Sequence, residues 1–154
     1  MRTRSVICLY CITLFFLSCG EQVFYERNIP IKDRSWAYNA IPTFDVKIED
    51  NRARYDLWLN VRHTNEYNYA NLFILLHEKG PLLKDTAYRY EVQLARADGR
   101  WTGSSAGTIY GRQLLLKENY SFPDTGVYTF GIEQNMVDNP LRDITDVGIK
   151  LVKR

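Results

Sequence analysis

The stretch from Arg54 to Lys79, RYDLWLNVRHTNEYNYANLFILLHEK, leaves the chain few ways to fold. In its first half Tyr55, Leu57, Leu59 and Val61 alternate with Asp56, Asn60 and Arg62. A period of two belongs to a β-strand with one face on a core. Trp58 falls in the polar set, so that face is not plain solvent. In the second half Leu72, Phe73, Ile74, Leu75 and Leu76 are apolar in succession. This predicts a central strand covered on both faces. Leu59 and Leu75 are both read as core. The polar and aromatic segment from His63 to Ala70 reads as a loop joining two antiparallel strands.

The rest of the chain repeats the pattern. Phe44, Val46 and Ile48 alternate with Asp45, Lys47 and Glu49; Thr86, Tyr88, Tyr90, Val92 and Leu94 alternate with Ala87, Arg89, Glu91 and Gln93. Further strands run from Arg112 to Phe122, through Tyr128, Phe130 and Ile132, and through Val147, Ile149 and Leu151. Gly80-Pro81, Asp98-Gly99 and Pro123-Asp124-Thr125-Gly126 punctuate them as turns. No segment sustains a 3.6-residue apolar period. Seven to eight strands with turn signals near every ten residues predict an all-β fold, a single antiparallel β-sandwich over residues 35–154.

The N-terminus reads differently. Met1-Arg2-Thr3-Arg4 is basic, Val6 to Leu17 is apolar, and the run ends in Phe16-Leu17-Ser18-Cys19-Gly20. It is too short to span a bilayer and has the layout of a signal peptide. Leu-Ser-Cys at its end resembles a bacterial lipobox, in which the cysteine becomes the acylated first residue of the mature protein. The expected organisation is a leader over residues 1–18, lipidated Cys19 with a tether to residue 34, then the sandwich. Cys8 and Cys11 fall in the leader, so the exported domain has no partner for a disulfide. The chain carries 20 basic and 18 acidic residues. Arg2 and Arg4 leave with the leader, so the mature protein is formally neutral and lacks a nucleic-acid footprint. The expectation is a periplasm-facing envelope protein, held by lipid to the outer or the cytoplasmic membrane.

Candidate chemistry is sparse. His63 and His77 each end an apolar alternation, as structural histidines do, and no nucleophile with a nearby base is legible. Two histidines without clustered cysteines or paired carboxylates make a poor zinc set. Asp138, Asp143 and Asp146 lack the dense ligand spacing of a calcium loop. The glycines from Gly99 to Gly111 suit tight turns, since no Lys-Ser/Thr follows them. No enzyme, metal or cofactor is expected. What stands out is a polar set where strands leave the core: Arg62, Asn65, Arg100, Trp101, Glu133, Gln134 and Asn135. An arginine there could pin two strand ends by pairing with a carboxylate, Glu133 being the partner expected for Arg100. The set can equally be a partner-binding surface near Arg100-Trp101 with Glu133-Gln134 close by, tryptophan and arginine being common in binding hot spots. A glycan is the alternative ligand, with Trp36, Trp58 or Trp101 stacking on sugar rings.

Taken in order, the lipobox, LNVRHTNEYNYANLFILL, DGRWTGSSAGTIY and FPDTGVYTFGIEQNM followed by DVGIKL resemble the GldH family of gliding-motility lipoproteins of the Bacteroidota. The resemblance covers nearly all of the mature chain. It implies a non-enzymatic lipoprotein of the gliding and type IX secretion apparatus, acting beside other envelope proteins, with Cys19 as the lipidated residue. Asp85-Thr86-Ala87 resembles the O-glycosylation acceptor of exported proteins in that phylum. Thr86 shares its face with Tyr88 and Tyr90, which argues against modification.

Overall fold

The structure is a computed structural model and describes residues 22–154; the leader and Cys19 lie outside the described residues. Eleven strands run in order: β1 (Gln22–Pro30), β2 (Ser35–Trp36), β3 (Thr43–Ile48), β4 (Tyr55–Thr64), β5 (Asn71–Lys79), β6 (Thr86–Gln93), β7 (Ser104–Ala106), β8 (Ile109–Tyr120), β9 (Gly126–Gln134), β10 (Leu141–Arg142) and β11 (Ile144–Lys153). A five-stranded sheet has the order β1-β11-β4-β8-β7, and a four-stranded sheet the order β3-β9-β5-β6. The two-residue β2 and β10 pair by themselves, and every pairing is antiparallel. The fold is all-β and sandwich-like, as the alternation requires.

β4 is the centre of the larger sheet, flanked by β11 and β8. Its inner residues Tyr55, Leu57, Leu59 and Val61 are fully buried against one core cluster with Leu72, Ile74, Leu76, Phe130 and Ile132. The polar face of β4 is also largely removed from water, Asp56 being 1% and Asn60 8% exposed. Arg154 and the Asn119 amide both bond the Asp56 carboxylate. Burial opposes its charge, but these two partners outweigh burial and hold Asp56 below the usual carboxylate range.

Two expectations need correcting. β5 is not covered on both faces: Leu72, Ile74, Leu76 and Glu78 are buried, whereas Phe73, Leu75 and His77 are half-exposed. A four-stranded sheet has one core, and its outer face is shielded only by long side chains, such as the Arg89 guanidinium 4.0 Å above the Phe73 ring. The expected tether is likewise mostly absent, because residues 22–30 pair with β11 as an edge strand. Gly148 of β11 permits that approach, since a Cβ there would collide with Asn28 and the Arg27 carbonyl.

Between the sheets lies a polar cluster that the alternation hides. Glu78, on the inner face of β5, pairs with Lys117 of β8 and accepts from Tyr120 Oη at 2.7 Å. Tyr90 Oη of β6 donates to the Leu116 carbonyl at 3.2 Å. These contacts tie the edge of β8 to the opposite sheet.

Candidate functional site

Antiparallel alternation sorts the connections onto two ends. The starts of β1 and β4 and the loops 49–54, 80–85 and 121–125 share the end nearest the N-terminus. The loops 31–42, 65–70, 94–103 and 135–143 share the far end. Asn65, Arg100, Trp101 and Gln134 all sit at or beside the far end, whereas Thr86 starts β6 at the near end.

The far-end residues do not form one cluster. Arg62 Nε donates to both Asp146 carboxylate oxygens at 2.8 Å, pinning β4 to β11. Arg100 pairs locally with Asp98 at 2.7 Å, and the expected Glu133 instead accepts from His77 Nε2 at 2.7 Å. Gln134 is fully buried; its amide nitrogen donates to the Asp138 carbonyl at 3.0 Å and its oxygen accepts from the Met136 amide at 2.8 Å. It shapes the 135–138 turn from beneath. Asn65 is exposed, and its backbone amide donates to the Thr108 carbonyl at 2.9 Å.

Trp101 is half-buried in an aromatic stack with His63 at 4.6 Å, Tyr110 at 6.0 Å and Tyr67 at 6.5 Å between ring centroids. It plugs the far end of the core. His63 is fully buried, with Nδ1 2.8 Å from the Thr64 carbonyl. That contact makes Nδ1 the donor and leaves Nε2 an acceptor, without a partner among the described residues. Burial lowers the pKa of the ring.

The three tryptophans are no common platform for a sugar. Trp36 is fully buried and Trp101 belongs to the stack, leaving Trp58 half-exposed on the outer face of β4. One row from Trp58, that face holds a cleft of about 420 Å³ lined by Glu26, Asn28, Asn60, Arg62, Ser104 and Gln113. Asn60 Nδ2 donates to Glu26 at 3.0 Å and to Asn28 at 3.2 Å, and Gln113 Nε2 donates to Asn60 Oδ1 at 2.9 Å. Among the described residues no group of three or more His, Cys, Asp or Glu side chains could hold a metal ion. Thr86 is half-buried, and its hydroxyl donates to the Lys84 carbonyl at 2.9 Å.

Residues that the sequence reading passed over complete the far end. Tyr38, Ile41 and Val137 are exposed there, Val137 by 91%. Tyr38 Oη donates to the Met136 carbonyl at 2.6 Å, its amide donates to Asn139 Oδ1 at 3.0 Å, and Tyr69 Oη donates to Asp138 at 2.7 Å. The loop is therefore held in shape while Val137 faces water. Two apolar residues, Met136 and Val137, between Asn135 and Asp138-Asn139 were the available signal, Met136 packing on the core and Val137 facing water.

A family model described as GldH lipoprotein matches residues 23–151. The chain belongs to the GldH lipoprotein family. It is 30% identical to a gliding motility lipoprotein GldH homolog of Christiangramia forsetii, over 99% of this chain and 98% of that one. It is 26% identical to the gliding motility lipoprotein GldH of Flavobacterium johnsoniae, over 100% of this chain and 98% of that one. No solved structure matches. The GldH match begins at Val23, within β1, in keeping with that strand being part of the domain.

Proposed function

We propose that this chain is a lipid-anchored envelope component of the gliding apparatus that works by binding and not by catalysis. On this reading residues 1–18 are removed, Cys19 is acylated, and the domain faces the periplasm. It serves as a scaffold for other envelope proteins of the gliding and type IX secretion machinery. Membership of the family and the names of the two relatives support the setting. The observation that carries the binding role is the far end, where exposed Val137 stands on a loop fixed by buried Gln134, beside exposed Tyr38 and Ile41 of the neighbouring connection. A preorganised apolar tip with an aromatic residue is the kind of surface that concentrates binding energy.

The test is Val137→Asp in the native host. Val137 is exposed and the loop's hydrogen bonds do not use its side chain, so the melting temperature and the fatty-acid label on Cys19 should stay as in the wild type. Co-purification of envelope partners and spreading on surfaces should be lost. A variant that keeps both would overturn the far end as the working surface.

One observation favours a glycan as a second ligand: the cleft on the outer face of β4. Amide and carboxylate side chains locked in a network, with the exposed Arg62 guanidinium beside them, match the vicinal hydroxyls of a saccharide. Titration with soluble peptidoglycan fragments should give heat that Gln113→Ala abolishes. No heat from the wild type would remove this reading.

A further inference from the structure

We propose that the end of the sandwich nearest the N-terminus is itself a membrane-contact surface, with Val23, Phe24 and Leu82 seated at the lipid–water interface. The proposal rests on the acylation of Cys19. β1 is paired with β11 from Gln22 onward, Gln22 opposing Lys153. Cys19 is three residues before Gln22, and an extended chain reaches about 3.3–3.6 Å per residue, so the link spans only about 10 Å. That is little more than the headgroup layer of a bilayer leaflet. The start of β1 therefore stays at the membrane whatever the rest of the domain does.

What β1 presents there is apolar. Val23 is 47% and Phe24 40% exposed, although they sit beside the attachment point. Phe24 is the outer member of a column of rings that crosses this end of the sandwich. It packs edge-on against Tyr55 at 5.2 Å, Tyr55 against Phe122 at 5.4 Å, and Phe122 against Tyr128 at 4.5 Å. The Tyr128 ring lies against Gly80, and Pro81 against Gly126. Leu82, 72% exposed, follows directly. Both sheets thus end in an exposed apolar side chain, with a rigid aromatic bridge between them.

The charges at this end favour lipid of no particular sign. Asp50 lies within 3.8 Å of Arg52 and 3.7 Å of Lys153, and Asp56 pairs with Arg154. Cations offset by local carboxylates make no polybasic patch, so seating depends on apolar burial at the interface.

The experiment uses the full acylated protein in vesicles of phosphatidylcholine, with and without bromine-labelled acyl chains that quench tryptophan. Phe24→Trp, Leu82→Trp and Val137→Trp each add one reporter to the wild-type background. The first two reporters should be blue-shifted and quenched, and the Val137 site should be neither. Adding anionic lipid should change none of these. Unquenched reporters at both 24 and 82, in protein that floats with the vesicles and carries acylated Cys19, would overturn the seating while leaving the anchor intact. Protein without an acyl group at Cys19 would overturn the anchor and the seating together. Leu82→Trp lies at an exposed loop site, so it reports even where Phe24→Trp perturbs the edge strand.

Discussion

At the scale of single residues, the most consequential side chain is Glu78, whose side chain is fully buried between the sheets beside Lys117 and Tyr120. Removing one partner of a buried ion pair strands the other charge, at a cost of about 3–5 kcal/mol. Lys117→Met should therefore lower stability by about that much in denaturant melts. Adding Glu78→Gln to the same chain should restore most of it, because the amide still accepts from Tyr120 and carries no charge. If the double variant were as unstable as the single one, the charge would not be the cause. His63 gives a pH signature of its own. Burial lowers its pKa below the ordinary 6.5. Well above pH 6.5 the ring is neutral in both states, so it contributes no pH dependence there. As pH falls below 6.5 the unfolded chain takes up a proton that the folded ring resists, so stability declines until the folded pKa is passed. The melting temperature should drop in that window, and His63→Phe should show a shallower drop. Equal slopes would mean the ring takes up its proton without penalty.

At the scale of elements, strands were legible where a face is buried and hidden where none is. β4 was read correctly because Tyr55, Leu57, Leu59 and Val61 all reach the core. β1 buries almost nothing, with only Tyr25 and Ile29 half-buried, so Gln22 to Pro30 carries no alternation to see. β2, β7 and β10, two or three residues each, are too short to leave a period, which is why the strands among the described residues number eleven and not seven or eight. β5 misled through Phe73 and Leu75, which are apolar but lie on an outer face shielded by side chains alone. Leu59→Ala should therefore cost about 2–5 kcal/mol, the ordinary range for emptying a core site. Leu75→Ala should cost distinctly less, and equal losses in thermal melts would contradict the facing described here. The polar set was legible in kind but not in partner. Glu133 and His77 are diagonal neighbours on the outer face of β9 and β5, close enough to pair. Arg100 finds Asp98 within its own turn. The first pairing depends on register, which composition cannot supply, and the second on the local geometry of the turn.

At the scale of the whole molecule, strands of about ten residues at roughly 3.3 Å each separate the two ends by about 33 Å. On the proposed anchoring through Cys19, the Val137 loop would be held about that far from the bilayer, as a fixed tip and not a tethered float. The central claim is this polarity: lipid below, protein partner above. Replacing Val137 or Leu82 with a photoreactive residue, in the acylated protein within its own cells, tests it most directly. Irradiation should give protein adducts from position 137 and none from position 82. Protein adducts from 82 and none from 137 would contradict the account.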